Sequence, residues 1–264
     1  MHAHHHPHSP EEQTHAPAHS GGTVLTIRAH SGLSGDMFLA GLLRMTEADE
    51  ADREALLTSI MPELAGTLHL VQKSVRGIGG WHAEVTLPQQ HSHRTLADIL
   101  ALIHASGMQP AAKDRAAATF TLLAQAEAAV HGTLPEAVQF HEVGALDSIL
   151  DICLTCALFT RLSPAQFIVS PLPMTDGWVR CAHGILPVPA PAVLELLDGI
   201  PVCPFSGTGE TVTPSAIALL RGLGAAFGPW PAMRVEKKAL VYGDTVFDDA
   251  PNGAIFAYGS GLTA

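Results

Sequence analysis

Basic residues are scarce in this 264-residue chain: 14 Lys and Arg stand against 25 Asp and Glu, a net charge of -11 with histidine neutral. That balance excludes a nucleic-acid partner and an anionic membrane surface, since both depend on Lys and Arg to meet phosphate. No apolar run reaches the length of a membrane span, and the N-terminus lacks a signal-peptide apolar region. Cysteine is limited to four residues without disulfide-framework spacing, which predicts a reducing, cytoplasmic setting. Aromatics make up 5% and charged residues 15%, yet 47% of the chain is hydrophobic. A sizeable core is therefore available, for one large domain or two modest ones.

Residues 1–22 have almost nothing apolar and are dense in His, with Pro, Ser and Gly between. Such a segment cannot bury enough to fold, so a disordered arm is expected, with the folded part at 23–264. Its histidines are interrupted by Ala and Pro, which favours a metal-binding arm over an expression tag. Clustered imidazoles suit nickel, zinc or copper.

The stretch FHEVGALDSILD, residues 140–151, opens a long apolar segment reaching Leu162 without Pro or Gly after Gly144. A buried helix is expected there. Its polar positions, Gly144, Asp147, Ser148, Asp151 and Thr155, recur at three- and four-residue steps and share one face. A buried acidic stripe must be aimed at a cation, a basic partner, a polar ligand or a structural hydrogen-bond network, because an unpaired buried carboxylate is costly. Cys153 and Cys156 form a C-x-x-C within the same helix. Mid-helix in apolar surroundings, they read as small packed hydrophobes rather than a redox pair.

Earlier in the chain, residues 23–29 read as a strand. The Gly- and Ser-rich turn Ser31, Gly32, Leu33, Ser34, Gly35 then enters a helix running through Leu43. Backbone N–H groups at such a turn can hold phosphate or carboxylate, and Asp36 either favours the helix start or serves as a metal ligand or base. The P-loop Gly-Lys-Ser/Thr is missing. Residues 68–75 and 81–87 suggest a strand pair joined through residues 77–80. His91 and His93 could chelate a metal or bracket an anion with Arg94, ahead of a helix at 95–105. Residues 110–131 form an Ala-rich helix.

The later half holds nine of the nineteen prolines between Pro164 and Pro214, so rigid connections are expected rather than long elements. A strand is expected at 167–174 and helices at 190–197 and 215–223, with Thr213 as N-cap of the second. Two final strands fall at 235–242 and 254–258. Cys181 and His183 could form half of a site for a borderline metal, or a nucleophile beside a base. Arg180 is a candidate anion binder. Together these elements predict an α/β fold, a mixed sheet of short strands with helices packed against it.

Several of these blocks together resemble the LarC family of nickel-insertion proteins. The resemblance runs in order over most of 23–260, through residues 31–37, 93–99, 140–151, 170–173, 179–191, 209–214 and 250–252. FHEVGALDSILDI and RCAHGILPVPAPA are its most specific parts. It implies insertion of nickel into pyridinium-3,5-bisthiocarboxylic acid mononucleotide to give the nickel-pincer cofactor of a lactate racemase client. It also implies CTP and a divalent metal held by a separate C-terminal LarC-like polypeptide. The chain departs from the family pattern at Arg28, where an acidic residue is usual, and at residues 242–247.

On this reading Asp36, His141, Glu142, Asp147, Cys181 and His183 surround one cavity. His141, Cys181 and His183 are expected at nickel or substrate sulfur, with Asp147 and Asp151 orienting them. Asp36, His141, Glu142 and Asp147 are the candidate catalytic groups. Ser31, Gly32, Ser34, Gly35 and Arg180 are the candidate nucleotide cradle. A non-catalytic nickel store using the arm, and a scaffold subunit, are the competing readings. The apolar richness and low charge suit a homodimer.

Overall fold

The structure, a computed structural model, describes residues 20–87, 94–140, 145–181, 184–248 and 250–262. In chain order the first half runs β1 (Ser20–Arg28), α1 (Gly35–Thr46), α2 (Glu50–Ile60), β2 (Leu68–Val75), β3 (Ile78–Val85), β4 (Arg94–Thr95), α3 (Leu96–Ala105), α4 (Pro110–His131), β5 (Gln139–Phe140) and α5 (Leu146–Leu162). The second half runs β6 (Gln166–Val169), β7 (Leu172–Met174), β8 (Gly177–Cys181), β9 (Gly184–Val188), α6 (Pro191–Leu196), β10 (Val202–Pro204), α7 (Pro214–Gly222), β11 (Ala226–Phe227), β12 (Met233–Val241) and β13 (Ala254–Leu262).

Seven strands form the main sheet in the order β11-β6-β1-β13-β12-β3-β2. β1 pairs parallel with β6 and antiparallel with β13, so the sheet is mixed, as the sequence predicts. Its two halves meet where β12 runs parallel to β3 through Val241 and Trp81. There Tyr242 N–H donates to the Trp81 carbonyl at 2.8 Å. α1 lies across β3, β12 and β13, α5 packs on α1, and α4 packs on α5.

Few aromatics are present, but they sit at the junctions. Phe38 of α1 meets Phe167 of β6 and Phe256 of β13 edge-on, at 6.3 and 6.0 Å, and Phe159 of α5 meets Phe167 at 5.2 Å. Edge-to-face pairing of this kind adds about 0.5–1.5 kcal/mol per pair beyond area burial. α1 can come this close to the sheet because Gly41 faces Phe256: a Cβ there would lie 2.4 Å from the ring.

Local signals explain most boundaries. α3 starts with a reciprocal capping box between Thr95 and Asp98, and α4 has Pro110 in its first turn and Gly132 at φ 62° past its end. α7 is capped by the Thr213 hydroxyl, which accepts from Ala216 N–H at 3.3 Å.

Several expectations shift. The strand expected at 81–87 begins at Ile78, because Arg76 and Gly77 adopt φ of 53° and 81° and close a two-residue hairpin by themselves. Gly80 thereby joins the strand, leaving room for the Tyr242 ring; a Cβ there would lie 2.5 Å from it. The strand expected at 167–174 divides at Pro171, which has no N–H to continue a ladder. Residues 177–188 form a hairpin, β8–β9, despite Pro187. β1 begins at Ser20, inside the range expected for the arm, by pairing with Leu262. Residues 1–19 of the arm, and His91 and His93, lie outside the described residues.

The Gly41 contact can be tested directly. Gly41→Ala gains about 1 kcal/mol in helix propensity, yet overpacking against a fully buried ring costs about 1–3 kcal/mol. A lower urea midpoint is expected, with Gly79→Ala, where a Cβ meets nothing within 4 Å, leaving it unchanged or slightly raised. Equal midpoints for both variants would contradict the packing described.

Candidate functional site

Two glycine-containing turns are stitched together at the top of the sheet. Leu33 N–H donates to the Thr211 carbonyl at 2.9 Å, and Thr213 N–H donates to the Leu33 carbonyl at 3.2 Å. Gly32 permits this: its φ is 129°, and a Cβ would fall 1.9 Å from the Thr211 oxygen. No side chain fits there. The Ser31 hydroxyl donates to Gly253 O at 2.8 Å and ties the same turn to the start of β13.

The stitch brings the starts of α1 and α7 to one cavity of about 470 Å³. Ser31, Gly32, Ser34 and Asp36 line one side, Gly209 to Thr213 another, and Gly243 to Thr245 a third, with Val179 of β8 at the rim. The first backbone N–H groups of a helix have no partner within it, so the start of α1 offers donors and positive potential to an anion. By contrast α7 begins at Pro214, which has no N–H, and its Ala216 N–H is taken by the Thr213 hydroxyl. Ser34 stands at the N-cap of α1, but its hydroxyl donates to the Asp36 carboxylate instead of capping.

Within the first turn of α1, Asp36 meets His82 of β3 and Asp244, which follows β12. The His82 side chain is 7% exposed; its Nδ1 lies 2.9 Å from the Tyr242 carbonyl and 3.5 Å from Asp36 Oδ2. Its Nε2 lies 3.2 Å from Asp244 Oδ1. A carbonyl oxygen only accepts, so Nδ1 carries the proton and Nε2 is the nitrogen turned toward Asp244. Asp36 Oδ2 is buried without a hydrogen-bond partner. Donor atoms of Asp36, His82 and Asp244 all lie within 4.8 Å of one another, a spacing that could hold a metal ion.

Behind this group the α5 stripe takes effect. Asp151 packs beneath the start of α1, so close that a Cβ on Gly35 would lie 2.9 Å from its Oδ2. Burial above all, and then Asp36, Asp147 and Asp244, hold the Asp151 carboxyl well above the usual carboxylate range. Asp36 is raised too, mainly by burial and further by Asp244, against the opposing Ser34 hydroxyl and His82. Four carboxylates from three segments, α1, α5 and the residues after β12, thus interact.

Of the residues expected from sequence, Ser31, Gly32, Ser34 and Asp36 line the cavity. Gly35 packs on Asp151, Asp147 is exposed in the first turn of α5, and Arg180 is exposed beside the cavity-lining Val179. His141, Glu142 and His183 lie outside the described residues, as does the side chain of Cys181. Arg28, the departure in the first strand, donates from Nη2 to Gly228 O at 2.7 Å and lies over Trp230. Its charge is spent beside β11, not in the cavity. Cys153 and Cys156 are buried, and desolvation pushes Cys156 up to about 12. Neither is poised as a thiolate.

His82 and Asp244 were not singled out from sequence. One signal was available: a lone histidine inside an apolar strand needs a partner when buried. Asp244 gives no such signal, since its position depends on where β12 ends against β3.

Comparison with known proteins follows the same segments. The family model described as "Nickel insertion protein" matches residues 25–257. A Geotalea daltonii protein named for nickel insertion is 41% identical over 231 residues, covering 87% of this chain and 59% of the relative. A similarly named Myxococcus xanthus protein is 40% identical, covering 87% and 58%. The pyridinium-3,5-bisthiocarboxylic acid mononucleotide nickel insertion protein of Desulfitobacterium hafniense strain DCB-2 is 39% identical over 213 residues, covering 78% and 51%. The chain therefore spans just over half the length of the curated relatives it matches. No solved structure matches it.

Asp151 generates a pH prediction. A carboxyl raised in the native state favours folding fully below its unfolded value of about 3.9, and that contribution is lost as pH rises through the native value. Without added metal, Asp151→Asn should therefore melt higher than wild type at pH 8.5, on the order of 2–4 °C for each kcal/mol relieved. The gap should narrow toward pH 5. A gap that does not change with pH in thermal melts would show that the carboxyl ionises normally.

Proposed function

Because this chain belongs to the nickel insertion protein family, we propose that it is the nickel-handling part of an enzyme that places nickel into pyridinium-3,5-bisthiocarboxylic acid mononucleotide. The observation that carries the reading is the cavity built from two matched segments, residues 31–37 and 209–214, where the start of α1 lies beside Asp36 and Asp244, whose carboxylates cluster with His82. A mononucleotide with an anionic phosphate and two thiocarboxylates needs both. Backbone N–H groups at the start of α1 suit the phosphate. The volume of about 470 Å³ falls in the usual range of about 300–1,000 Å³ for small-molecule sites.

Two thiocarboxylates flanking one ring carbon bind a metal between them, so nickel must be delivered to the sulfur-bearing edge of the ring. A cavity that sets anion donors of α1 beside candidate metal ligands supports bringing the nucleotide to the ion. CTP use and its divalent metal belong, in this reading, to the portion of the relatives beyond the span matched here. Insertion then requires that portion as well, on this or a partner polypeptide. Among the described residues no helix is long and apolar enough to cross a membrane, consistent with a client met in solution.

The test is reconstitution. This chain, combined with the remaining portion of a relative and supplied with nickel, CTP and the metal-free nucleotide, should yield nickel-loaded nucleotide that activates apo-lactate racemase. If mass spectrometry finds no nickel-loaded nucleotide beyond that formed by the remaining portion alone, the reading is wrong.

A further inference from the structure

Within the nickel-insertion reading, on which this inference rests, we infer that the ion awaiting transfer is held by Asp36, His82 and Asp244, with His82 contributing Nε2. The assignment starts from the tautomer. Tyr242 O can only accept, so Nδ1 holds the ring proton, and in neutral imidazole Nε2 is then a bare acceptor. At 3.2 Å it faces a carboxylate oxygen of Asp244, also an acceptor. Two acceptors at that separation repel unless something positive lies with them. Either a second proton makes an imidazolium–carboxylate pair, or a cation binds both.

The surroundings favour the cation. Asp36 Oδ2, 3.5 Å from Nδ1, is buried and has no hydrogen-bond partner among the described residues. One extra proton on Nε2 serves Asp244 and leaves that oxygen unmet. One ligand atom from each of the three side chains lies within 4.8 Å of the others, so a single divalent ion could meet all three. The carbonyl behind Nδ1 fixes the ring orientation, the usual support for a metal-ligating histidine. Tyr242 O keeps its place because Tyr242 N–H is bound to Trp81 O at 2.8 Å, on the strand that carries His82.

The ligand set also suits release. One imidazole and two carboxylates hold nickel by nitrogen and oxygen and leave coordination positions for water or substrate. Nickel is borderline and gains from softer ligands, so transfer to two thiocarboxylate sulfurs is favourable. Asp244, 91% exposed, is the ligand freest to leave. Asp36 and His82 are the buried part of the seat.

Ni²⁺ titration of the ¹⁵N-labelled full chain tests the assignment, because paramagnetic broadening reports location. The histidine-rich arm will broaden its own signals, which are separate from those of the core. At nickel beyond the arm's capacity, amide signals of Asp36, His82 and Gly243 should broaden in wild type. Asp244→Asn, whose exposed position spares the fold, should need at least about tenfold more nickel, since loss of even a supporting partner costs about 10- to 100-fold. His82→Gln should behave alike if its remaining spectrum is native.

No broadening at these amides in wild type, or unchanged broadening in Asp244→Asn, overturns the assignment and leaves an imidazolium–carboxylate pair. The insertion assay separates the two claims. Wild-type insertion with undiminished rates in both variants refutes this seat alone, whereas nickel at the seat without insertion refutes the functional reading alone.

Discussion

The cavity depends on one backbone approach, the passage of Gly32 against the Thr211 carbonyl. Only a residue without Cβ, at φ of 129°, lets Leu33 N–H reach Thr211 O and Leu33 O receive Thr213 N–H. Those two bonds align the starts of α1 and α7, which are remote in sequence. They place Asp36 in the first turn of α1, over β3 and β12. Backbone hydrogen bonds of this kind contribute about 1 kcal/mol each. Their larger effect is to fix where the N–H donors of α1 point.

A second constraint holds the opposite wall. β12 meets β3 through a single parallel bridge, continued by Tyr242 N–H to Trp81 O. Gly80 and Gly253 make room for the Tyr242 ring, and Lys73 of β2 donates to Gly243 O at 2.7 Å. Asp244 therefore leaves the sheet beside His82 rather than at a loop tip. Gly243 itself approaches Ser34 and Met37. The metal-ligand group is thus a product of tertiary closure between the two halves of the sheet.

This explains what could be read in advance. Repeating local chemistry was legible: the capping box at Thr95, Pro110 and Gly132 around α4, Thr213 before α7, and the uninterrupted apolar helix ending at Leu162. The glycine turn at residues 31–35 was legible as a turn into a helix, and its Ser31, Gly32 and Ser34 line the cavity. Boundaries failed where tertiary contact overrode composition. Gly79 and Gly80 look like a connection but lie in β3, and Pro187 sits in a two-stranded hairpin that tolerates it at its edge. His82 escaped notice for the same reason. Its role depends on Tyr242 and Asp244, 160 and 162 positions away, and no local period reports a pairing so distant.

Charge gives the remaining step. Asp36, Asp244, Asp151 and Asp147 bring negative charge to a cavity where the start of α1 invites an anion. At the short separations that couple their protonation, like charges raise one another's affinity for positive charge. An anionic nucleotide entering this cavity alone meets that opposition in a desolvated place, where screening by salt is weak. A divalent ion there removes it and turns the same carboxylates from repellents into ligands. On the proposed nickel-insertion function, that balance predicts an order, metal before nucleotide. The polar stripe of α5 belongs to that balance: Asp151, beneath Gly35, sets how strongly the unloaded cavity demands a cation.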